Sequence, residues 1–326
     1  MRVTRNDVAR AAGVSPAVVS YVLNDGPRPV SKLYRKRVLA AIEELGYRRN
    51  TVARAMRMRK TNSIGLVLPD ISIAYFSVLT QRITDVARAR SLTIIVATSN
   101  GSTMVEREHL TELEARQVDG VILMSVDPAQ DLHWAGEMGM PVLVVDRPAV
   151  AVESTVAAAE HLLSHGCRRL ARLSGPENDL TTRRRDQGWA IALNQHNLGP
   201  ENGAIKRADL SAESGYGAAI ELLSEPERPD GVLIDRPLHA SSFLRAAKDL
   251  GVAVPGDVSV ITCEFGQAGE YTVPRLTSVD SPLDLIALQA VDRILAAAPE
   301  DRLLTLDGSD FTLSERESCG LGPIAS

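Results

Sequence analysis

Near the start of the chain, apolar residues recur at helical spacing in two short stretches separated by a glycine. Residues 4–11 and the stretch that begins at Pro16 each place their apolar side chains on one side of a helix. Gly13 supplies the backbone freedom that a tight turn between them requires. The shared apolar side consists of Val8, Ala9, Val14, Val19 and Val22. The pattern predicts two packed helices joined by a tight turn.

Residues that typically begin and end helices fit these boundaries. Thr4 followed by Asp7 is a capping-box arrangement, and Ser15 is suited to cap the second helix. A third amphipathic helix is predicted over residues 31–46, with a serine cap and a glycine stop. On this third helix we expect the small core to be faced by Leu33, Val38, Ile42 and Leu45.

From Ile64 onward the pattern changes, because apolar runs of strand length alternate with amphipathic stretches of helix length. Such alternation is typical of parallel sheets covered by helices on both faces. Strands are predicted at 64–69, 92–98, 120–125, 141–146, 168–175, 203–210, 231–235 and 258–263. Helices are predicted at 76–90, 104–117, 154–165, 183–197, 212–224 and 239–250. We expect an α/β core that divides into two lobes near residues 150–155.

Residues 50–62 connect the two parts. This stretch, NTVARAMRMRKTN, contains four basic residues and a small apolar face. Such a face is too small to hold a stable helix alone, so a linker that folds only on DNA is expected.

Charge separates the two parts as clearly as the hydrophobic pattern does. Residues 1–60 contain 14 Lys and Arg against 4 Asp and Glu, a net charge of +10, whereas the remaining 266 residues carry −15. A basic head on an acidic body points to a polyanionic partner for the head. A solvated basic surface is the alternative, and the two-helix pattern argues against it.

Several classes of protein are disfavoured. The longest apolar runs are far too short to span a bilayer, and the N-terminus lacks the apolar stretch of a secretion signal. Three widely spaced cysteines fit a reducing cytoplasm. His161 and His165 lack a third metal ligand, so a structural role is expected. We find no catalytic motif and expect neither an enzyme nor a cofactor.

The motifs together resemble the lactose-repressor (LacI/GalR) family of bacterial transcription regulators. The signature T-x-x-D-V-A-x-x-A-G-V-S-x-x-x-V-S-x-V-L-N is filled at every fixed position from Thr4 to Asn24. Further matches to family landmarks are IGLVLPD at 64–70, VDGVIL at 118–123, VDRP at 145–148, TTRRRDQGW at 181–189, GVAVPGDVSV at 251–260 and PRLTSV at 274–279. The resemblance covers nearly the whole chain.

The resemblance implies an all-α helix-turn-helix headpiece and a two-lobed α/β core, similar to periplasmic binding proteins, with parallel sheets. The implied boundaries are a headpiece at 1–49, a hinge helix at 50–61, a first lobe at 62–151 and 281–305, and a second lobe at 152–280 and 306–326. It also implies a homodimer on a near-palindromic double-stranded DNA operator. A small effector between the lobes would then modulate operator affinity.

The resemblance also assigns residues to DNA binding. Base-reading positions fall on Pro16, Ala17 and Tyr21, where the first two allow only apolar or shape contacts and the third offers a hydroxyl, with a phosphate contact as its alternative. Met56 stands where the family usually has a leucine that wedges into the minor groove, with a hinge-to-hinge dimer contact as the alternative. Further DNA contacts are expected from Thr4, Ser15, Ser20, Asn24, Asn50, Ala53, Arg54 and Arg57.

In the expected effector cleft the match to the family is weaker. Arg185 aligns with a cleft arginine that grips hydroxyls or a carboxylate. The other expected effector contacts are Tyr75, Phe76, Asp146, Trp189, Arg236 and Glu264. An Asn-Pro pair becomes Ile73-Ala74, an Asn-Asp pair becomes Arg236-Pro237, and Val150-Ala151 replaces an Asp-Asn pair. Because a neutral hexose needs many polar partners, an anionic or less hydroxylated ligand fits better.

Three alternatives stay open. The core could respond to no small molecule, the regulator could be an activator, or the chain could be a free-standing α/β ligand-binding protein with a basic tail. The last would call for a secretion signal or a catalytic motif, and the sequence shows neither. Because no leucine heptad tail is present, a dimer is expected rather than a tetramer.

Overall fold

The computed structural model describes residues 3–24, 29–47, 60–127, 130–146, 148–199, 202–298, 300–307 and 310–320. The chain divides into two compact units, 1–61 and 62–326. The division coincides with the predicted start of the core.

The described residues of the first unit form α1 (Arg5–Ala12), α2 (Pro16–Asn24) and α3 (Lys32–Glu44). The predicted capping box is confirmed, because the Asp7 N–H donates to the Thr4 hydroxyl and the Thr4 N–H donates to the Asp7 carboxylate. Gly13 ends α1 in the left-handed conformation at φ 66°. The buried core consists of Val8, Ala9, Ala12, Val19, Val22, Val38 and Ala41.

One predicted core residue of this unit is wrong. Leu33 is 59% exposed, whereas Val38 is fully buried and Ile42 packs at the edge of the core. With about 100° of rotation per residue, Leu33 points about 140° away from Val38 around α3. The helix therefore turns Leu33 toward solvent.

The second unit contains two mainly parallel sheets. Its strands are β1 (Ser63–Leu68), β2 (Thr93–Thr98), β3 (Gly120–Leu123), β4 (Val142–Asp146), β5 (Leu170–Ser174), β6 (Gly203–Arg207), β7 (Gly231–Ile234), β8 (Ser259–Cys263), β9 (Thr277–Asp280), β10 (Leu303–Asp307) and β11 (Thr312–Ser314). Its α-helices are α4 (Ala74–Ala89), α5 (Thr103–Ala115), α6 (His133–Gly136), α7 (Pro148–Ser164), α8 (Leu180–Gln195), α9 (Ala212–Ser224), α10 (Pro237–Asp249) and α11 (Leu283–Ala296).

The first sheet has the strand order β10-β4-β3-β1-β2, and all of its pairs are parallel. Alternate residues of β1 face opposite sides, so Ile64 and Leu66 pack under α4 and α11 while Val67 packs under α5. We call this sheet and its helices lobe one. Both faces are covered, as the alternating sequence pattern predicts.

The second sheet has the order β11-β9-β8-β7-β5-β6, with only β11 antiparallel among its pairs. One face packs against α9 and α10 and the other against α7 and α8. On β5, Arg172 shares the α7 and α8 side with Leu170, so a charged side chain occupies a core position. We call this sheet and its helices lobe two.

The chain passes between the two lobes after β4, after β9 and after β10. The predicted boundary at 151/152 falls inside the continuous helix α7. The boundary predicted at 305/306 falls inside β10, because parallel pairing with β4 holds residues 303–307 in lobe one. The boundary at 280/281 coincides with the end of β9.

No helix among the described residues is both long enough and apolar enough to cross a bilayer.

Candidate functional site

The start of α2 presents a small, exposed face. Ser15, Pro16 and Ala17 are exposed, while Ser20 and Tyr21 are half-buried. The Ser15 hydroxyl caps the helix by accepting from the Val18 N–H at 3.4 Å. An exposed first turn without long side chains allows close approach of another surface to the helix backbone.

The remaining predicted DNA contacts differ in what the structure describes. The Thr4 hydroxyl donates to the Asp7 carboxylate at 2.6 Å, so it is part of the α1 cap. Asn24 ends α2, but its side chain lies outside the described residues. The hinge residues also lie outside them, namely Asn50, Ala53, Arg54, Met56 and Arg57.

A narrow cavity lies between the two lobes of the core. Tyr75, Val145 and Ile286 line it from lobe one, and Arg185 and Glu264 line it from lobe two. The other lining residues are Val150, Ala151, Ser154, Cys263, Val279, Asp280, Ser281 and Phe311. Its volume of about 10 Å³ holds about one water molecule. The core's own side chains therefore almost fill the cleft.

Arg185 is the cavity's buried cation. Its residue exposure is 5%, and its Nη1 donates to the Asp235 carbonyl at 2.8 Å. Its Nε–H is buried without a hydrogen-bond partner. Burial opposes the charge, but Cys263, Asp235 and Glu264 outweigh that effect and raise the pKa of Arg185 above its ordinary value. A permanently charged residue of the cavity lining therefore keeps one donor without an acceptor.

A second buried arginine fixes the carbonyl that holds Arg185. Arg172 is fully buried and donates to both Asp235 carboxylate oxygens at 2.8 Å. Its Nη1 donates to Asp186 at 2.7 Å, and Asp186 also accepts from the more exposed Arg207 at 2.9 Å. Burial by itself would raise the pKa of Asp235. The nearby Arg172 and Arg185 lower it by more, so the pKa stays below its ordinary value. The network runs from the sheet edge to the cavity.

Glu264 follows β8 in a backbone conformation unusual for its residue type. Its φ is 58°, in the left-handed region where a side chain other than glycine is strained. The Glu264 N–H donates to the Val279 carbonyl at 2.8 Å, and its carboxylate accepts from the Ser281 hydroxyl at 3.4 Å. These bonds hold the carboxylate on the cavity wall.

Of the two predicted cleft aromatics, Tyr75 lines the cavity and Phe76 does not. Phe76 lies in the lobe-one core, where its ring meets that of Tyr75 edge to face at 5.3 Å. Neighbouring residues of a helix point about 100° apart, so the start of α4 turns only one of the pair to the cleft.

Arg236 also lies away from the cavity lining. It is the cap residue of α10, and its Nη2 lies 3.3 Å from Asp179, the cap residue of α8. Arg236 is an expected effector contact, but it pairs with Asp179 and is not part of the cavity lining. For Asp146, the structure describes the strand backbone but not the side chain.

Trp189 is a core residue of lobe two. It is 1% exposed, and its indole N–H donates to the Gly203 carbonyl at 3.0 Å. It does not line the cavity, because one turn after Arg185 on α8 the helix has already reached the apolar core.

We expect Trp189→Phe to lower the free energy of unfolding by about 1–2 kcal/mol, because a buried carbonyl loses its donor. Operator affinity should not change. Urea titration followed by circular dichroism measures the first quantity and fluorescence anisotropy the second. An unchanged unfolding midpoint with altered operator affinity would contradict the core assignment.

Sequence reasoning missed Arg172, Asp235 and Cys263. Arg172 interrupts an apolar run, which is unusual in a parallel strand buried on both faces. Asp235 and Cys263 stand at the carboxyl ends of neighbouring strands, the edge where open α/β sheets bind ligands. Position relative to strand ends was therefore the signal that could have found them.

His161 lies in the last turn of α7, and His165 lies in the turn that follows the helix. Their ring centroids are 4.5 Å apart, and the His161 Nδ1 lies 3.7 Å from a Glu315 oxygen. Burial is the main cause that lowers the pKa of His161. Within the described ranges, no group of three or more His, Cys, Asp or Glu is arranged to hold a metal.

Comparison with known proteins identifies similar chains. Residues 4–50 match the model described as bacterial regulatory proteins, lacI family, and residues 159–319 match the periplasmic binding protein-like domain. Catabolite control protein A of Priestia megaterium is 33% identical over 296 residues, covering 87% of this chain and 89% of that protein. The HTH-type transcriptional repressor PurR of Serratia proteamaculans is 29% identical, with 98% of each chain covered.

Two solved structures cover nearly the whole chain. A lac repressor dimer bound to operator and the anti-inducer ONPF is 25% identical, covers 98% of this chain and 99% of its own, and has a TM-score of 0.84. A CelR–cellobiose complex is 27% identical over 97% of this chain and 100% of its own, with a TM-score of 0.65.

Proposed function

This chain belongs to the lacI family of bacterial regulatory proteins, and on that premise we propose that it represses transcription from a near-palindromic operator as a homodimer. A small ligand between the lobes would change operator affinity by stabilising one arrangement of the core. The observation that carries the DNA-binding part is the exposed α2 face on a unit with a strong positive charge.

The α2 face favours a particular way of reading DNA. Pro16 and Ala17 offer only apolar surface, which suits a thymine methyl group or the shape of the groove. Tyr21 supplies a ring and a hydroxyl for a base or a phosphate. We therefore expect specificity to depend on methyl contacts and DNA shape more than on bidentate hydrogen bonds.

Operator selection from random double-stranded DNA tests this function. We expect a near-palindromic consensus and an affinity that falls steeply as salt rises, because basic residues displace counterions from phosphates. Binding that shows no sequence preference would contradict the proposal. Repeating the titration with a metabolite panel then tests whether a ligand changes the affinity.

In the hinge, we expect Met56→Asp to abolish operator binding, because a carboxylate cannot wedge into a stacked, negatively charged minor groove. Met56→Leu, which keeps an apolar wedge, is the matched control and should bind. Anisotropy measures binding, and circular dichroism checks that the core remains folded. If Met56→Asp binds operator with unchanged affinity, Met56 does not insert into the minor groove as proposed.

The dimer rests on the family and on one exposed loop. Tyr271 and Val273 are 81% and 92% exposed, so this loop presents apolar surface that a second copy of the chain would cover. We expect light scattering to give twice the chain mass of 35.1 kDa, and Tyr271→Asp to give the mass of one chain. A tetrameric mass would contradict the expected dimer.

The effector part rests on Arg185 and Glu264 in the cavity between the lobes. With Arg236 turned to Asp179, one available guanidinium donor and one carboxylate remain, so the ligand should carry an acceptor beside an apolar body. The small cavity volume favours a second candidate, a core that stays closed without a ligand. A thermal-shift screen separates the two, since stabilisation by any small molecule supports the first.

A further inference from the structure

A cysteine, an arginine and a glutamate line the same inter-lobe cavity. Cys263 is the last residue of β8 and is 1% exposed, Glu264 follows it, and Arg185 reaches the cavity from α8. A thiol, a carboxylate and a guanidinium on one small wall form a set able to add a nucleophile to a carbonyl compound. The proposed effector contacts use the carboxylate and the guanidinium and give the thiol no role.

The Arg185 Nε–H is a second observation that points to a ligand beside this thiol. It belongs to a residue that lines the cavity, and it is buried without a hydrogen-bond partner. An unsatisfied buried donor on a cation is costly, so the site is suited to receive an acceptor oxygen. A carbonyl oxygen would satisfy it.

Opening of the lobes changes which influence dominates the pKa of Cys263. In the closed core, burial raises the pKa of Cys263 to about 12, so the group is a neutral thiol. Among the surrounding charges, Arg185 acts most strongly and lowers the pKa, while Asp235 and Glu264 raise it. Water entering the cleft removes the burial penalty, and Arg185 then favours the thiolate.

We propose that Cys263 is a covalent modification site for small α,β-unsaturated carbonyl compounds, which reach it when the lobes part and dock their carbonyl oxygen on Arg185. Its effect on transcription rests on the proposed function.

The reaction is an addition without change of oxidation state. The Cys263 thiol proton passes to Glu264 or water, and the thiolate forms a sulfur–carbon bond to the β-carbon. The carbon–carbon π bond breaks, its electron pair moves toward the carbonyl held by Arg185, and the α-carbon takes a proton from water. Nothing leaves the electrophile.

The adduct has a mechanical consequence. The closed cavity holds about one water molecule, so it has no room for an added carbonyl compound. Modified protein is therefore held with its lobes apart. The modification would therefore shift the same arrangement of the two lobes that the proposed reversible ligand shifts, but it would do so covalently.

Cys319 provides a matched internal control. It is 2% exposed, burial raises its pKa to about 12 as well, and it belongs to the same lobe-two core cluster as Cys263, but unlike Cys263 it does not line the cavity. We expect N-ethylmaleimide to modify Cys263 at least ~10-fold faster than Cys319 in the folded protein, with equal rates in denaturant. The rates are read by peptide mass spectrometry. Equal rates in the folded protein would overturn the proposal, because both thiols would then need global unfolding.

The role of Arg185 is tested by the ratio of the rates at which two reagents modify Cys263. Methyl methanethiosulfonate modifies thiols but carries no carbonyl group. In Arg185→Gln, the maleimide rate at Cys263 should fall at least ~3-fold relative to the methanethiosulfonate rate, because general effects on access and ionisation cancel. An unchanged ratio would overturn carbonyl docking on Arg185.

The effect of the Cys263 adduct on operator binding is measured with partly modified protein mixed with a limiting amount of operator. We expect the occupancy of the Cys263 adduct to differ at least ~5-fold between the bound and free fractions, while N-ethylsuccinimide, which cannot add a thiol, leaves affinity unchanged. Equal occupancy would overturn the regulatory effect. If the untreated protein binds no operator, the proposed function is contradicted. The labelling rates would still test whether Cys263 is the modification site.

Discussion

Replacing Arg172 by alanine should lower the free energy of unfolding of the core by about 3–5 kcal/mol, because it leaves the buried Asp235 carboxylate without the arginine that donates to both of its oxygens. Arg172 is fully buried, and Asp235 is 2% exposed, so water cannot replace the lost donors. Urea unfolding followed by circular dichroism measures the change. The matched control is Arg245→Ala, which removes an arginine from the exposed Arg245–Asp249 pair and should cost less than about 1 kcal/mol.

The pH dependence of this loss distinguishes an ion pair from lost packing. The pKa of Asp235 is below its ordinary value of 3.8 in the folded protein, so its stabilising effect is present above pH 3.8 and is lost as pH falls through the folded pKa. The difference between wild type and Arg172→Ala should therefore be full at neutral pH and shrink in acid. A difference that stays constant across this range would point to lost packing alone.

Ala17→Glu should weaken operator binding at least ~100-fold, because it places a carboxylate on the exposed start of α2 where phosphates and base edges approach. The substitution keeps a good helix former at an exposed position, so the headpiece should still fold. Fluorescence anisotropy at fixed salt measures the affinity.

Ala89→Glu is the matched control for this substitution. Ala89 is also an exposed helical alanine, near the end of α4 in the core, and its replacement changes the net charge by the same amount. We expect less than a twofold effect on operator affinity. Equal losses in the two variants would mean that net charge, and not the α2 face, controls binding.

The periodicity of apolar residues predicts most of the fold because it records burial directly. The helical repeat in the headpiece and the strand-length runs from Ile64 correspond to elements of the structure. Periodicity misplaced Leu33, where one apolar residue in a first turn points away from the core. It also gave no strand after 263, because β9, β10 and β11 mix polar with apolar residues.

The cleft is harder to predict because its residues come together only through tertiary structure. Sequence reasoning found Arg185, Tyr75 and Glu264 on the cavity wall. It placed Trp189 there as well, since a spacing of four residues on a helix does not reveal where the cleft ends and the core begins. The Arg172–Asp235 pair joins residues 63 positions apart, and no local pattern indicates such a pair.

Lobe one is discontinuous along the chain, and this affects how it is made. Its first strand begins at Ser63, but α11, which covers one face of its sheet, ends at Ala296, and its edge strand β10 ends at Asp307. During synthesis on the ribosome, α4 can cover part of that apolar face early, but the part that α11 covers stays exposed until residue 296 has emerged. Most of lobe two is synthesised in between, so lobe one is completed late and depends on nascent-chain protection for longer.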